Sequence, residues 1–323
     1  MKEEYTAAIV HNQRRHKKRF HKDDLELTLL AAPTFIWYVL FCFLPMFGVI
    51  IAFKNFSFQA GMGFIHNVFT SPWSGLKNFE FFFKSNDAWL ITRNTIGYNL
   101  IFIILNVAVP VTLAILINQL RSRWVAKAAQ TAMLMPYFMS WVVITYFVSA
   151  FMNYDLGLFN QILRYFGMEN LQWYAEKKYW PFILIFLSTW KMAGYSMMIY
   201  LATITGMDAS LYEAAHIDGA SRWQQIRYIT LPLLKPVMIM MFILAVGRIF
   251  NSDFGLFYQV PKGSPSLYEV TETFDVYIYR ALTGSVNISR PSAAAFIQSV
   301  AGCITILIAN GIVRKLDKDS AII

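Results

Sequence analysis

Six long apolar stretches, separated by shorter polar segments, form the pattern of this chain. Each stretch is long enough to cross a bilayer, which takes about 20 helical residues. Lipid offers the backbone no hydrogen-bond partners, so an isolated spanning segment must be a helix. The pattern therefore predicts an all-α membrane protein with six transmembrane helices, near residues 27–53, 93–118, 128–151, 180–204, 236–257 and 293–313.

Positive charge favours one side of these stretches. With a cytoplasmic N-terminus, sixteen Lys and Arg residues fall in the inside segments and ten in the longer outside segments. Cytoplasmic loops of membrane proteins carry this excess, so both termini are predicted to be cytoplasmic. The first stretch is too long for a signal peptide and lacks its cleavage pattern, which predicts a retained span. We divide the chain into a basic segment at 1–26, a six-span domain at 27–313 and a tail at 314–323.

The composition supports a membrane location. The chain is 57% hydrophobic and 15% charged, whereas a soluble domain carries about 25% charged residues. Membrane lipid is therefore its expected main solvent, in a cell membrane crossed several times. The net charge of +9 lies in short segments between the spans with no nucleic-acid-binding motif, so we expect no nucleic-acid partner. Cys42 and Cys303 lie within apolar stretches and have no metal-ligand spacing, so no metal is expected.

Three outside loops, near 54–92, 152–179 and 258–292, are rich in aromatic residues. Aromatic residues anchor segments at the membrane surface, so we expect short helices there.

The cytoplasmic segment at 208–236 is long for a simple connection. Gly219 lies near its middle, where a turn needs a left-handed residue. Pro232 and Pro236 are expected to end the segment and begin the fifth span. The segment therefore predicts two short helices joined at Asp218 and Gly219. Two capping boxes mark their starts: Ser210 with Glu213, and Ser221 with Gln224.

Such a helical unit suits a socket on a soluble partner. Ala214 and Ala215 allow a close approach, and Trp223 and Ile226 share one face of the second helix. The alternative is an amphipathic loop that rests on lipid headgroups.

This segment resembles a known motif, the EAA loop of ABC importer permeases. The resemblance implies a type I ABC importer permease fold and a coupling helix that docks on a cytoplasmic ATPase subunit. In that interpretation Gly219 makes the turn and Glu213 contacts the ATPase. Ile229 and Pro236 also match the motif. The residues assigned to coupling are Glu213, Ala214, Ala215, Asp218, Gly219, Ala220, Trp223, Leu231 and Pro232.

Other segments resemble carbohydrate-type permeases related to the maltose importer. Residues 75–79 followed by Asn94-Thr95 are similar to that group. Residues 190–191, 199–201, 211–212 and 275–280 look like the subgroup that imports oligosaccharides and polysaccharide fragments. The extra N-terminal spans and large outer domain of the maltose permease itself are missing from this sequence.

The resemblance also implies partners. They are a second permease chain that forms a heterodimer with this one, two cytoplasmic ATP-binding subunits and an extracytoplasmic substrate-binding protein. The sequence has no Walker A motif, so ATP and Mg are expected in the partner subunits and no cofactor is expected in this chain.

Charged residues within the spans are candidate cargo contacts, since a bare charge at mid-bilayer costs about 3 kcal/mol. We hypothesise that they line a translocation path. The alternative is an ion pair of Asp253 with Lys191 or Arg248 that only holds the bundle together. Aromatic and amide side chains nearby suit a sugar, and two cations would suit a carboxylated one. The path candidates are Trp190, Lys191, Arg248, Asn251, Asp253 and Phe254.

Two other classes of protein are alternatives for a chain with this pattern. A membrane enzyme would need a catalytic dyad or metal ligands, but the sequence contains neither H-E-x-x-H nor G-x-S-x-G, so we expect no enzyme activity in this chain. A secondary transporter or channel for a polar solute would explain the charges in the spans. It would leave the predicted helices at 208–236 without a function. The sequence therefore favours the membrane-spanning subunit of an ATP-driven importer for a sugar, with an oligosaccharide as the expected cargo.

Overall fold

The computed structural model describes residues 22–284 and 287–316. Their elements are helices and connecting turns, with one isolated antiparallel bridge between Lys54 and Trp73. The predicted terminal segments at 1–26 and 314–323 lie largely outside the described residues.

The predicted all-helical membrane fold is confirmed. Within the described part of the chain, five helices are long and apolar enough to span a bilayer, and a bent helix pair makes six if it is counted as one span. In chain order the spans are Glu26–Phe53, Asn86–Asn118, the pair Arg123–Phe138 and Trp141–Phe151, Lys177–Thr205, Arg222–Val246 and Ser289–Lys315.

The first span is divided between two compact units of the chain: one ends at Ile50, and the other begins at Ile51. It is an α-helix over Lys22–Tyr38, widens to a π-helical turn at Val39–Phe43 and ends in a 3-10 helix over Phe47–Phe53.

The third span is not the continuous helix predicted at 128–151. Its two halves meet at an angle of 98°, because Met139 and Ser140 are extended and the Ser140 hydroxyl accepts a hydrogen bond from the Val143 N–H at 3.3 Å. This side-chain bond caps a new helix.

The fifth span also differs from the prediction of 236–257. Its helix begins at Arg222 and ends at Val246, so Pro232 lies inside it and does not begin it. The segment Ile226–Thr230 is a π-helical turn in which the Leu231 N–H donates to the carbonyl oxygen of Ile226. The wider turn accommodates the proline ring, which would clash with the preceding turn of a regular helix.

Close packing of the fourth span defines the core from residue 51 onward. An ideal Cβ on Gly194 would lie 1.9 Å from the carbonyl oxygen of Met133, so the fourth span and the first half of the third approach backbone to backbone. Small residues permit this approach in membrane bundles. Met197, Tyr200 and Leu234 are fully buried in one core cluster, and Trp180 and Leu256 in another.

Short helices occupy the three outside loops, as predicted. The longer ones are Phe64–Thr70, Lys77–Lys84, Leu158–Tyr165 and Phe274–Gly284.

Candidate functional site

The segment before the fifth span contains a helical hairpin. Its first helix is Ala209–Ile217, and its N-cap is Asp208, whose Oδ1 accepts a hydrogen bond from the Ser210 N–H at 2.9 Å. The predicted capping box of Ser210 with Glu213 is therefore wrong, since Asp208, two residues before Ser210, already caps the helix start. The hydrogen bonds from Ser210 lower the pKa of Asp208.

The hairpin turns at Gly219, as predicted. This glycine has a φ of +75°, and the Ala220 N–H closes the turn by donating to the carbonyl oxygen of Ala215 at 2.9 Å. The left-handed conformation is open to glycine and costly to most other residues.

The second helix begins with the predicted capping box. The Ser221 N–H donates to Gln224 Oε1 at 2.7 Å, and the Gln224 N–H donates to the Ser221 hydroxyl at 3.4 Å. A contact of 3.0 Å between the hydroxyls of Tyr212 and Thr230 ties the two helices together. The hairpin is therefore held by capping hydrogen bonds and by the contact between Tyr212 and Thr230, with little buried apolar surface.

Large apolar side chains of the hairpin are exposed. Ile217 is 86% exposed and Trp223 66%. Exposed apolar groups of this size mark interaction surfaces when they lie together. Of the residues assigned to coupling, Ala215, Ala220 and Leu231 are half-buried, and the exposed ones are Glu213, Ala214, Asp218, Gly219, Trp223 and Pro232.

The bend of the third span carries a second polar arrangement. The Lys191 ammonium donates to the carbonyl oxygens of Pro136, Tyr137 and Met139, at 3.2, 2.9 and 2.5 Å. Its Nζ also lies 5.3 Å from the centre of the Trp141 ring, and Lys191 is only 8% exposed.

Asp253 lies after the end of the fifth span and bonds to the same bend. Its Oδ2 accepts a hydrogen bond from Trp141 Nε1 at 2.7 Å, and its Oδ1 accepts from the Gly255 N–H at 2.9 Å. In residues 22–284 and 287–316, neither Lys191 nor Arg248 forms an ion pair with Asp253. In place of the expected ion pair, Lys191 and Asp253 are linked indirectly: the Lys191 ammonium lies against the Trp141 ring, and Trp141 Nε1 donates a hydrogen bond to Asp253.

The other path candidates lie apart from one another. Trp190 borders an apolar cavity of about 780 Å³, whereas Asn251 borders a partly polar cavity of about 460 Å³ that Asp275 and Gln298 also line. Arg248 is exposed, and Phe254 stacks on Tyr258 with ring centres 4.9 Å apart.

Sequence reasoning missed the residues that supply the polar groups of this second cavity. Asp275 Oδ2 accepts hydrogen bonds from the Ser252 N–H at 2.6 Å and from Gln298 Nε2 at 3.2 Å. Gln298 is a polar residue inside the last apolar stretch, a signal that the sequence does contain.

Within the described residues, five spans and one bent helix pair, an exposed hairpin and polar groups between the helices fit a membrane-spanning transport subunit. The sequence profile of one family, the binding-protein-dependent transport system inner membrane component, matches residues 107–319. The chain belongs to this family and is therefore a membrane component of a transport system that depends on a binding protein.

Several characterised proteins are similar along most of their length. The polygalacturonan/rhamnogalacturonan transport system permease protein YteP of Bacillus subtilis is 32% identical over 318 residues, which cover 97% of this chain and 95% of that protein. The arabinooligosaccharides transport system permease protein AraP of Halalkalibacterium halodurans is 31% identical over 192 residues, 58% of this chain and 59% of that protein.

Solved structures share the fold. A chain of a bacterial ABC transporter involved in the import of the acidic polysaccharide alginate superposes with a TM-score of 0.80 at 29% identity, over 92% of this chain and 97% of that chain. The same TM-score of 0.80, at 28% identity, is found for the alginate transporter in complex with a periplasmic protein that holds an alginate pentasaccharide.

Proposed function

We propose that this chain is the permease subunit of an ABC importer for oligosaccharides and that its cytoplasmic hairpin transmits the work of ATP hydrolysis. The observation that carries the coupling role is the exposed hairpin of Ala209–Ile217 and the helix from Arg222. Its caps and turn are internally satisfied, and its exposed Trp223 and Ile217 are available to a partner. They suit the groove of a soluble ATPase subunit, where a buried aromatic anchor supplies binding energy.

The proposed assembly contains a second, similar permease chain, two ATP-binding subunits and an extracytoplasmic binding protein. Relatives in binding-protein-dependent systems and the alginate transporter with its periplasmic protein support this composition. ATP and Mg would be held by the partner subunits.

Oligosaccharides are the cargo class that the relatives support. Their names give polygalacturonan/rhamnogalacturonan, arabinooligosaccharides and alginate as transported material. In this chain Arg248 is exposed just after the fifth span, with no hydrogen bond or ion pair from its guanidinium within the described residues. A free guanidinium binds a carboxylate in a bidentate manner, so acidic sugar fragments are the first candidates.

Co-purification tests the coupling role. The chain is isolated through a tag from detergent-solubilised membranes of its own host, and the recovered ATPase subunits are quantified. Trp223→Ala should lower ATPase recovery about tenfold, the scale of a lost aromatic anchor. Trp89→Ala, which removes a tryptophan that is 72% exposed in a loop predicted to lie outside, should leave recovery unchanged.

Two outcomes would reject the proposal. Equal recovery with both variants would remove the hairpin as the docking site. A chain that is purified alone and transports without ATP hydrolysis would favour a secondary transporter or channel.

Uptake measurements test the cargo. Reconstituted transporter with its binding protein should import acidic oligosaccharides, and Arg248→Gln should raise the apparent KM for them more than for neutral arabino-oligosaccharides. An equal effect on both kinds of sugar would contradict recognition of the carboxylate by Arg248.

A further inference from the structure

Two interruptions of helical structure, called breaks below, lie in the described chain: one within the third span and one directly after the fifth span. The third span bends between Phe138 and Trp141, and the fifth ends at Val246, ahead of a new helical segment at Gly255–Gln259. Each break exposes backbone groups that a continuous helix would pair internally. In an apolar environment these groups need partners from elsewhere in the protein.

Lys191 satisfies the break in the third span. An ammonium group has three N–H donors, and the three carbonyl oxygens of Pro136, Tyr137 and Met139 lie within 3.2 Å of Nζ. A cation at the C-terminal end of a helix also interacts favourably with the helix dipole. With its donors occupied, the Lys191 ammonium has none left for a cargo molecule.

Asp253 satisfies the other break. Its Oδ1 accepts from the N–H groups of Gly255 at 2.9 Å and Leu256 at 3.4 Å, at the start of the helical segment. A carboxylate in this position acts as an N-cap.

Trp141 joins the two arrangements. Its ring lies beneath the Lys191 ammonium at 5.3 Å, within the range of a cation–π contact, while its Nε1 donates to Asp253 at 2.7 Å. An ideal Cβ on Gly255 would lie 2.1 Å from Cδ1 of Trp141. The indole ring therefore packs directly on the backbone that follows the second break.

We propose that Lys191, Trp141 and Asp253 form a brace that holds the bend of the third span and the break after the fifth span together as one body during transport. In this assignment Lys191 is a positioning residue for the third span and does not bind cargo. The proposal rests on the proposed import function only for its activity readout.

A reversible cross-link tests whether the breaks stay together. The ideal Cβ of Gly255 lies 2.7 Å from Cβ of Trp141, and a shift of about 1 Å would give the Cβ separation of a disulfide. Trp141→Cys with Gly255→Cys is made in a background with Cys42→Ala and Cys303→Ala, and the complete transporter is assayed oxidised and reduced. We expect import to be lost on reduction and restored on oxidation.

Three outcomes overturn the brace. Activity that is blocked on oxidation means that the breaks must separate. Equal activity in both states means that the link is dispensable, and inactivity in both states means that joining the backbones does not replace it. The cysteine-free parent measures import itself: no ATP-dependent uptake by the parent would count against the proposed function and leave the cross-link result separate.

A second set of variants separates positioning from cargo binding without new cysteines. Trp141→Phe removes the indole donor, Asp253→Leu removes its acceptor together with the cap on Gly255 and Leu256, and Asp253→Asn keeps an acceptor oxygen. We expect the first two to lower the amount of sugar imported per ATP hydrolysed about tenfold, Asp253→Asn to retain most of it, and the Phe/Leu pair to be no worse than either single variant.

Lys191→Met decides between the two roles of the lysine. A brace predicts the same loss of sugar imported per ATP, with an unchanged KM for the loaded binding protein and for cargo. A raised KM with an unchanged ratio would make Lys191 a cargo contact and overturn the assignment.

Discussion

Burial of side chains contributes little to the stability of the hairpin, and Gly219 illustrates this. Gly219 adopts a φ of +75°, and a Cβ built on it would meet no atom within 4 Å. The space is open, so only the backbone conformation requires glycine at this position. A left-handed conformation costs an L-residue roughly 1–2 kcal/mol.

Gly219→Val therefore tests the turn by conformation alone. A β-branched residue is strongly disfavoured at this φ, so we expect ATP-dependent uptake to fall about tenfold while the amount of chain in the membrane stays the same. Gly167 is a matched control, because its φ is +73° and its Cβ also meets nothing. If Gly167→Val lowers uptake equally, the effect is general strain and not loss of the cytoplasmic turn.

Glu272 is a buried carboxyl group in an outside loop. Burial raises its pKa above 4.5, although the ion pair with Arg280 opposes the shift. A raised folded-state pKa means that the favourable contribution is complete below the unfolded value and is lost as the pH rises through the folded value. We expect the thermal midpoint in detergent to rise as the pH falls from neutral towards 4.5.

Glu272→Gln should reduce that rise, because the amide does not titrate. The same pH dependence in the wild-type chain and the variant would exclude Glu272 as its source.

At the scale of elements, the contact between the fourth span and the first half of the third requires a glycine at Gly194. The Cβ of an alanine at Gly194 would lie 1.9 Å from a backbone oxygen, which no rotamer change can relieve. Gly194→Ala should therefore lower the free energy of unfolding by about 1–3 kcal/mol through overpacking.

Gly97 is the control for helix propensity. It lies within the helix Asn86–Asn118, and its Cβ would meet nothing within 4 Å. Gly97→Ala should stabilise the chain by up to ~1 kcal/mol. Thermal unfolding in detergent measures both variants, and equal midpoints would show that the close approach at Met133 is not required.

The sequence predicts elements well where one stretch contains one helix. The second, fourth and sixth spans agree with their apolar stretches within a few residues at most ends, because length and apolarity decide them. The breaks are different. Ser140 caps a new helix inside an apolar stretch, and the π turn at Ile226–Thr230 carries the helix past Pro232. Both are local backbone events that hydrophobic periodicity does not register.

The candidate site was predicted in part for a similar reason. The turn at Gly219 and the capping box at Ser221 depend on neighbours in sequence, so the residues reveal them. The partners of Lys191 lie 52 to 55 positions away, and only the folded bundle brings them to the ammonium. Sequence marked Lys191 as unusual, but it did not show which atoms the ammonium would bind.

At the scale of the whole molecule, the orientation in the membrane follows from charge. The excess of Lys and Arg predicts that the hairpin lies inside and that the loop at 152–179 lies outside. Two residues of equal exposure allow a direct test: Ile217 in the hairpin and Tyr165 in the outer loop are both 86% exposed.

Cysteine labelling in spheroplasts, whose cell membrane is intact, checks this orientation. With Cys42 and Cys303 replaced by Ala, Tyr165→Cys should react with a membrane-impermeant maleimide in spheroplasts. Ile217→Cys should react only after the membrane is permeabilised. The reverse pattern would invert the topology and place the hairpin away from any cytoplasmic ATPase.

The helix Arg222–Val246 has a mechanical consequence. Its 25 residues make a rod of about 37 Å, so tilting it by about 5° displaces its far end by about 3 Å. Had Pro232 or Pro236 interrupted the helix, a flexible joint would have absorbed such a displacement near the membrane surface. A continuous helix instead transmits the displacement from Trp223 to the segment beside Arg248. The bending stiffness of the helix determines how much of the displacement reaches that segment.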